Sequence, residues 1–388
     1  MNILIVSHEY PPIGGGGANA CMCLAREYAK LGHNATIVTV WFDGLSESEE
    51  INDYDGCIKI IRVKSKRSHK EHCGFAEMLD FIFKAKPVLD SLMKADYDYY
   101  DVCQVFFGIP SGPLGYYLKK KYKLPYVIRF GGGDIPGFQE RFTKVYKLIG
   151  PAIKVIWKNA DALVANSEGL RELALEFCNK YEVKVFNNGV DTEKYIPKSD
   201  KEISSERIEL LFVSRLIERK GLQYVIPYLK KIQDETNKIV HLTIVGDGPY
   251  RETLENLAKE YAVTSQVTFV GQKDKDELLE YYQKGDIFVF PSKKEGMPNA
   301  VLEAMACGLP IVMSPCQGSA ELIDGNGVIA SGDLEEYHKY LSDFVRKSTE
   351  DLMIYSENSR NRAINEFSWM NVSLRYIKLF QRIGEIKK

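Results

Sequence analysis

The sequence predicts an α/β fold with two Rossmann-like domains, on three observations. The chain has 388 residues, more than one hydrophobic core usually supports, which favours two domains. It opens with an apolar strand, a glycine-rich loop, an amphipathic helix and a second strand, which is the order of a βαβ unit. A polar, turn-rich segment at 187–205 then separates this region from a second alternation of strands and helices.

The first domain is predicted over residues 1–195. Its βαβ unit comprises a strand at 3–6, a helix at 18–31 and a strand at 35–40. Further strands are predicted at 58–63, 102–106, 126–128 and 162–165, and further helices at 75–93, 112–121, 142–158 and 167–177.

The second domain is predicted over residues 206–366. Its strands are predicted at 208–213, 240–245, 266–270, 286–290 and 309–313, and its helices at 221–232, 250–261, 275–284 and 298–307. The remaining segment, 367–388, has apolar residues at helical spacing and is predicted to be a helix.

The composition is that of an ordinary globular protein, with 45% hydrophobic and 27% charged residues. The 51 Lys and Arg residues nearly balance 53 Asp and Glu residues, so charge gives no case for a nucleic-acid partner. The N-terminus lacks the basic region and apolar run of a signal peptide, and no stretch approaches about 20 apolar residues, which predicts a cytoplasmic protein. The eight cysteines show no CxxC spacing, which predicts free thiols.

The most informative segment follows the strand at 286–290. Pro298 is predicted in the first turn of the next helix, where its missing N–H costs nothing. Glu295 then lies in the loop before the helix N-terminus, and Glu303 lies inside the helix. Exposed N–H groups suit a phosphate, and a carboxylate suits the two hydroxyls of a vicinal diol. The segment therefore predicts a site for a phosphorylated sugar.

Two other turns carry candidate anion ligands. Arg215 and Lys220 flank the turn after the first strand of the second domain, and together they suit a diphosphate leaving group; the alternative is a solvated surface pair. Gly16 and Gly17 follow the first strand, where backbone N–H groups can approach an anion; the alternative is a flexible turn, because the GxGxxG and P-loop patterns are absent. Gly246 is expected to shape a turn, with contact to a bound base as the alternative.

Together these features resemble the retaining glycosyltransferases of family 4, which have the GT-B architecture. The resemblance rests on PPIGGGG at 11–17, LGH at 31–33, NGVD at 188–191, SRL and KG within 214–221, GDGP at 246–249 and PSKKEGMPNAVLEAMACGLPIV at 291–312. It implies two domains facing across a cleft, with the nucleotide sugar mainly on the second domain and the acceptor on the first. It also implies that the helix at 367–388 packs back on the first domain.

The resemblance implies a role for each matching residue. Glu295 is expected to hold hydroxyls of the donor sugar and Glu303 the ribose diol, while Arg215 and Lys220 stabilise the diphosphate. The expected donor-binding residues are Gly16, Gly17, Gly246, Met297, Pro298, Asn299, Ala300, Val301 and Glu303. No metal site and no cofactor are expected, because the nucleotide sugar is itself the substrate.

One position departs from the family pattern. Many relatives carry a histidine at the end of a middle strand of the first domain, whereas this chain has Arg129 followed by a glycine-rich segment that ends at Asp134. Asp134 is grouped with Glu295, Arg215 and Lys220 as a catalytic candidate that contacts donor sugar or acceptor. A turn-forming aspartate is the equally open alternative.

The sequence therefore predicts a metal-independent transfer of a hexose from a UDP-sugar to a saccharide or lipid-linked acceptor, in bacterial-type polysaccharide or glycolipid biosynthesis. A non-catalytic nucleotide-sugar-binding protein and a nucleotide-sugar 2-epimerase remain alternatives. A dinucleotide oxidoreductase is excluded, because the GxGxxG motif and its acidic partner are missing.

Peripheral membrane contact is a further alternative. The basic stretch at 59–72 and the apolar-faced segment at 75–93 could rest on an anionic membrane, although a solvated loop and a core helix are the favoured interpretation. A metal cluster of His69, His72 and Cys73 is disfavoured, because no fourth ligand lies nearby in the sequence.

Overall fold

A computed structural model describes residues 1–70, 73–138, 143–274 and 276–386. The chain divides into two compact units. The first unit comprises Met1–Asn188 and the C-terminal segment that begins at Trp369, and the second comprises Gly189–Ser368. Each unit is built on its own sheet, which is entirely parallel in the second unit and parallel except at one edge in the first.

The first unit has an eight-stranded sheet with the strand order β3-β4-β2-β1-β5-β6-β7-β8. Its elements in chain order are β1 (Asn2–Val6), α1 (Gly16–Lys30), β2 (Asn34–Val40), β3 (Ser48–Ile51), β4 (Ile58–Val63), α2 (Phe75–Ala95), β5 (Val102–Phe106), α3 (Gly112–Tyr122), β6 (Tyr126–Arg129), α4 (Thr143–Asn159), β7 (Ala162–Ala165), α5 (Glu168–Phe177) and β8 (Val183–Val185). All pairings are parallel except that of β3 with β4.

The second unit has a six-stranded parallel sheet with the strand order β11-β10-β9-β12-β13-β14. Its elements are β9 (Arg207–Val213), α6 (Leu229–Thr236), β10 (Ile239–Val245), α7 (Arg251–Glu260), β11 (Val267–Gly271), α8 (Leu278–Lys284), β12 (Ile287–Phe290), α9 (Asn299–Ala306), β13 (Ile311–Met313), α10 (Ser319–Leu322), β14 (Gly327–Ile329), α11 (Tyr337–Val345) and α12 (Thr349–Asn365).

The C-terminal helix α13 (Trp369–Ile386) returns to the first unit, as the family resemblance implies. It shares one face of the sheet with α1, where the rings of Tyr28 and Phe380 lie 6.0 Å apart. The ring of Tyr376 also contacts Phe186 at 4.9 Å. The helices from α2 to α5 contribute to a separate core on the other face.

The predicted helix at 221–232 is wrong at its start. Three short 3-10 turns occupy most of 218–228, and the α-helix begins only at Leu229. Two local features explain this result. Gly221 has a left-handed φ of +79°, and Pro227 has no N–H to donate to the preceding turn.

Three strands were not predicted, and all three lie at sheet edges. They are β3, β8 and β14, which have four, three and three residues. Such short segments carry too little periodicity to be recognised from sequence. The first residues of the helices predicted at 142–158 and 275–284 lie outside the described residues.

In each sheet, the strands that follow the first strand in the chain lie on one side of it, and the later strands lie on its other side. The switch point, where the side changes, lies between β1 and β5 in the first unit and between β9 and β12 in the second. Ligands of open α/β sheets bind beyond the carboxyl ends of the strands at such points. The loops after these four strands are therefore where a site is expected.

Candidate functional site

The predicted charged residues converge at the switch point of the second unit. Arg215 and Lys220 follow β9, and Glu295 follows β12, its neighbour in the sheet. Lys220 Nζ lies 2.7 Å from Glu295 Oε1, and the two side chains are only 11% and 15% exposed. Arg215 is exposed on the turn directly after β9. The structure thus brings together two of the residues that the sequence assigned to diphosphate and sugar.

The Glu295 carboxylate has other polar neighbours. Ser292 Oγ donates to Glu295 Oε1 at 2.9 Å, and Arg219 Nη1 lies 3.8 Å from the same oxygen. The ammonium of Lys220 also lies 5.0 Å from the centre of the Phe290 ring. Ser292, three residues before Glu295, and Arg219, next to Lys220, were not predicted, because neither has a distinctive motif of its own.

Close backbone packing holds these two loops together. A Cβ at Gly221 would lie 1.9 Å from the carbonyl oxygen of Pro291, so only glycine fits there. The N–H of Lys293 donates to the carbonyl of Arg219 at 2.9 Å. Arg219 Nη1 in turn donates to the carbonyl of Lys294 at 2.9 Å. The ion pair between Lys220 and Glu295 therefore rests on a fixed backbone frame.

The other side of the Glu295 loop is braced by the loop after β13. The N–H of Gln317 donates to the carbonyl of Glu295 at 3.1 Å. A Cβ at Gly318 would lie 2.3 Å from the carbonyl oxygen of Gly296. The loop that carries Glu295 is thus packed between two neighbouring loops.

Glu303 lies on α9 and is held by tyrosines. Tyr282 donates its hydroxyl to Glu303 Oε2 at 2.8 Å, and the Tyr195 hydroxyl also bonds this carboxylate. Burial raises the pKa of both tyrosines, and the negative charge of Glu303 raises it further, so both stay protonated donors. A carboxylate only accepts hydrogen bonds, so these two hydroxyl donors orient it.

The start of α9 differs in detail from the prediction. Pro298 is the N-cap with φ −74° and ψ 115°, not a residue of the first turn, and no side chain caps the helix. Asn299 and Ala300 are half-exposed, whereas Met297 is 6% exposed and Val301 is fully buried in the core. The N–H of Val301 donates to the carbonyl of Pro298 at 3.1 Å. Val301 therefore offers a ligand neither its side chain nor a free N–H in this structure.

Gly246 allows the chain to turn after β10. It has a φ of +137°, and a Cβ there would lie 2.0 Å from the carbonyl oxygen of Ser214. Its N–H donates to the carbonyl of Gly271 at 2.8 Å. The geometry favours the turn-forming interpretation of Gly246 over contact with a base.

In the first unit, the glycine loop leads directly into α1. The helix begins at Gly16, two residues before the predicted start, with Gly15 as N-cap and no side-chain cap. Gly16 is exposed and Gly17 is half-exposed. Their N–H groups belong to the first helical turn, which has no intrahelical acceptors, so contact with an anion stays the prediction for this turn.

The glycine loop is braced by residues that the sequence assigned to a basic surface stretch. Arg67 Nη2 lies 3.6 Å from Glu9 Oε1, and the side chain of Arg67 is only 2% exposed. The N–H of Gly14 donates to the carbonyl of Lys70 at 2.8 Å. Glu9 and Arg67 are far apart in the sequence, so no local pattern could have joined them.

Asp134 is buried at 3% exposure, and its carboxylate is surrounded by backbone donors. Oδ2 accepts from the N–H of Gly108 at 2.6 Å, and Oδ1 accepts from the N–H groups of Gly131 and Gly132 at 2.9 and 2.8 Å. This arrangement is that of a turn-forming aspartate. It favours that alternative over direct contact with a substrate.

The basic stretch at 59–70 is largely compensated by acidic residues on or beside the unpredicted strand β3. Arg62 Nη2 lies 2.8 Å from a Glu49 oxygen, and Lys59 Nζ lies 3.3 Å from a Glu50 oxygen. On α2, the buried residues Phe81, Ala85, Leu89 and Met93 face the core of the unit. These contacts favour a solvated loop and a core helix over membrane contact.

The described part of the chain contains neither a candidate membrane span nor a candidate metal cluster. No helix there combines the length and apolarity needed to cross a membrane. No group of three or more His, Cys, Asp or Glu side chains in the described ranges is placed to hold a metal ion. His72, one member of the disfavoured metal cluster, lies outside those ranges.

Comparison with known proteins supports the family resemblance. Residues 14–194 match the family described as Glycosyltransferase Family 4, and residues 194–362 match Glycosyl transferases group 1. An uncharacterized glycosyltransferase of Methanocaldococcus jannaschii is 28% identical over 98% of both chains. A second from that organism is 30% identical over 76% of this chain and 77% of its own.

Other similar proteins have more specific names. A GDP-mannose-dependent alpha-(1-6)-phosphatidylinositol monomannoside mannosyltransferase of Mycolicibacterium smegmatis is 25% identical over 85% of both chains. Among solved structures, sucrose-phosphate synthase from Thermosynechococcus elongatus has a TM-score of 0.79 at 20% identity over 100% of both chains. Anabaena HepE, in complex with UDP and glucose, has a TM-score of 0.70 at 18% identity over 98% of this chain and 100% of its own.

Proposed function

The chain belongs to the family 4 glycosyltransferases, which have the GT-B fold, and we propose that it transfers a hexose from a UDP-sugar to an acceptor hydroxyl with retention of the anomeric configuration. The observation that carries this proposal is the ion pair of Lys220 and Glu295 at the switch point of the second unit. A cation for the leaving group and a carboxylate for sugar hydroxyls lie there side by side.

The proposed chemistry depends on stabilising the leaving diphosphate. As the bond between the anomeric carbon and the diphosphate oxygen breaks, negative charge grows on the diphosphate. We propose that Lys220 and Arg215, which follow β9, meet that charge together with the positive dipole end at the N-terminus of α9. Because these groups supply positive potential, we propose a metal-independent reaction.

Binding of the donor is proposed to replace Glu295 by the diphosphate as the partner of Lys220. In the structure, Lys220 neutralises Glu295. A bound diphosphate competes for the ammonium, and Glu295 is then available to accept hydrogen bonds from hydroxyls of the transferred sugar. Ser292 Oγ, which donates to Glu295 Oε1 at 2.9 Å in the structure, is proposed to keep the carboxylate oriented. Glu303, held by Tyr282 at 2.8 Å, is proposed to accept the ribose diol.

The first unit is proposed to bind the acceptor, a saccharide or a lipid-linked saccharide, in polysaccharide or glycolipid biosynthesis. The N–H groups of Gly16 and Gly17 are proposed to bind an anionic group at the first turn of α1. A cytoplasmic location is part of the proposal. Peripheral membrane contact is the alternative, and the ion pairs between β3 and β4 argue against it because they neutralise basic residues.

A panel of nucleotide sugars tests this proposal. UDP-, GDP- and ADP-hexoses would be incubated with the full chain, with and without EDTA, and scored for thermal protection and for release of nucleoside diphosphate. We expect protection and release with a UDP-hexose, unaffected by EDTA, and an NMR spectrum of the product that shows the donor's anomeric configuration. The GDP arm is essential, because one relative is GDP-mannose-dependent.

The same panel separates the alternatives. A non-catalytic binding protein would be protected by a nucleotide sugar without releasing nucleoside diphosphate in the presence of any saccharide acceptor. A 2-epimerase would interconvert the sugar of the donor without an acceptor. Either result would contradict the proposed transfer.

A further inference from the structure

The first unit contains an open groove that none of the predicted roles includes. The groove is lined by residues of α5, of β8 with its flanking positions, and of α13, and its volume is about 670 Å³. Strand β8 is the edge strand of the sheet, so the groove runs along the side of the sheet. Ligand sites commonly have volumes of about 300–1,000 Å³, so the groove has room for a molecule the size of a phosphorylated sugar.

The lining of the groove carries more positive than negative charge. Its charged residues are Glu168, Arg171, Glu182, Lys184, Arg375, Lys378 and Arg382. Both carboxylates already have basic partners in the lining. Glu168 forms an ion pair with Arg171, and Glu182 Oε1 lies 2.7 Å from Lys184 Nζ. The other three cations all belong to α13, so the excess positive charge lies on the α13 side of the groove.

These three cations share one face of α13. Arg375, Lys378 and Arg382 are spaced i, i+3 and i+7, and at about 1.5 Å per residue they span about 10 Å along the helix. Lys378 and Arg382 form no ion pair with any residue in the described ranges. Like charges four residues apart on a helix repel each other. An anion placed between them would relieve that repulsion.

Arg375 is held in place by β8. Its Nη2 donates to the carbonyl of Val185 at 2.6 Å, and its guanidinium carbon lies 4.5 Å from the centre of the Phe186 ring. A guanidinium has five N–H donors, so the bond to Val185 leaves others for a ligand. The position of one cation is therefore fixed before a ligand binds, which reduces the entropy that binding costs.

We infer that this groove binds a small anion through its phosphate groups, with Arg375, Lys378 and Arg382 as the cationic ligands. Arginine can donate two parallel N–H groups to phosphate oxygens, and lysine adds a point charge. In the sheet, β6 and β7 separate β8 from the switch point between β1 and β5. The groove is thus additional to the sites of the proposed function and does not depend on that proposal.

A protein segment that adds a strand beside β8 is the competing occupant. Such a segment needs unpaired backbone groups along the edge strand. Strand β8 has only three residues, and the carbonyl of Val185 already accepts from Arg375. The edge therefore offers few hydrogen bonds to a strand, whereas the three cations of α13 offer a phosphate the charge that it needs.

Pyrophosphate tests the inference, because it carries two phosphate groups and no other recognition element. The full chain would be titrated calorimetrically at low ionic strength and compared with two double variants. Lys378→Gln with Arg382→Gln, the groove variant, removes two exposed cations and keeps Arg375 on β8. Lys84→Gln with Lys158→Gln, the control variant, removes two exposed lysines from α2 and α4 of the same unit, so the two variants have equal net charge.

We expect a binding event in the unchanged chain and in the control variant that is about tenfold weaker in the groove variant. The affinity should fall as NaCl is added, because salt screens exposed charges. Binding of pyrophosphate at the proposed donor site is common to all three proteins and cancels in the comparison. Identical titration curves for the groove and control variants would overturn the inference. Equal urea midpoints of the two variants check that both fold.

A vesicle experiment identifies the source of the phosphate. The three proteins would be sedimented with phosphatidylglycerol vesicles and with phosphatidylcholine vesicles. If the groove variant alone loses co-sedimentation with phosphatidylglycerol, the phosphate belongs to a lipid headgroup; if all three proteins behave alike while pyrophosphate binding differs, it belongs to a soluble molecule. Neither experiment needs turnover, so a failure of the proposed transfer would leave both results unchanged.

Discussion

Lys220 Nζ and Glu295 Oε1 lie 2.7 Å apart although 75 residues separate them in the chain. The pair joins the loops after β9 and β12, which are neighbouring strands. Two residues that are predicted to bind different parts of a nucleotide sugar therefore form an ion pair with each other in this structure. Donor binding is expected to replace this internal ion pair by two contacts to the ligand.

Lys220→Ala tests this exchange. Removing one charged contact to the developing diphosphate is expected to lower kcat/KM by about 30- to 1,000-fold, equivalent to about 2–4 kcal/mol. Lys230→Ala removes a lysine from the exposed surface of α6 in the same unit and should leave kcat/KM unchanged. Steady-state kinetics with the donor found in the panel gives the comparison, and full activity of Lys220→Ala would remove Lys220 from the mechanism.

Gly221→Ala should disturb the site through the backbone. The new Cβ would lie 1.9 Å from the carbonyl oxygen of Pro291, at a φ of +79°. The variant is therefore destabilised both by its backbone conformation and by a steric clash. Gly325→Ala is the matched control in the same unit, because its φ is +70° and its nearest contact is at 3.5 Å. We expect Gly221→Ala to lower the free energy of unfolding by about 1–3 kcal/mol more than the control. Urea unfolding of both variants gives the difference, and equal midpoints would contradict the close approach.

Tyr282→Phe removes one hydroxyl that holds Glu303. We expect weaker binding of the nucleoside diphosphate, by about threefold to tenfold, because the carboxylate loses its orientation. Tyr126→Phe is the control: its hydroxyl is also buried and donates to the carbonyl of Ile156, in the first unit. Both variants should lose about 1 kcal/mol of stability. Calorimetric titration should separate them, and equal affinities would argue against a ribose-holding Glu303.

His8 should make stability depend on pH. Burial, and next the charge of Arg67, lower the pKa of His8 from 6.5 to about 3. Below pH 6.5 the unfolded chain takes up a proton that the folded chain does not, so the free energy of unfolding falls by up to about 1.4 kcal/mol per pH unit as the pH drops towards 3. Above pH 6.5 the imidazole is neutral in both states and contributes no slope.

The check is a comparison with His8→Gln, which cannot titrate. Urea midpoints of the two proteins should show a constant difference above pH 6.5 and a steadily changing one below it. Titration of Glu9 and of other carboxylates is common to both proteins and cancels in the difference, apart from any coupling through the contact of Glu9 with His8. A difference that is flat across the whole range would show that His8 titrates normally in the folded chain.

The segment that carries Glu295 and Glu303 was predictable from the sequence because its signals are local. The strand at 287–290, the helix at 299–306 and the loop between them follow from apolar periodicity and from proline and glycine. Pro298 was predicted in the first turn of the helix, whereas the structure has it at the N-cap; proline is compatible with both positions.

Asp134 shows the limit of such reasoning. Its sequence context allowed substrate contact or turn formation equally. Its three N–H donors come from Gly108 on one loop and from Gly131 and Gly132 on another, and only the pairing of β5 with β6 brings these loops together. The role of Asp134 therefore depended on hydrogen-bond partners that are distant in the sequence.

The sequence by itself determined the two α/β units, the family, and the residue types that surround a phosphorylated sugar, because periodicity, turn chemistry and motif spacing are encoded in consecutive residues. The tertiary structure decided which of those residues meet. It paired Lys220 with Glu295, assigned Asp134 to the backbone of two loops and set the Phe107 ring between two glycines. The physical reason is that strand order decides which loops become neighbours, and strand order is a property of the folded sheet.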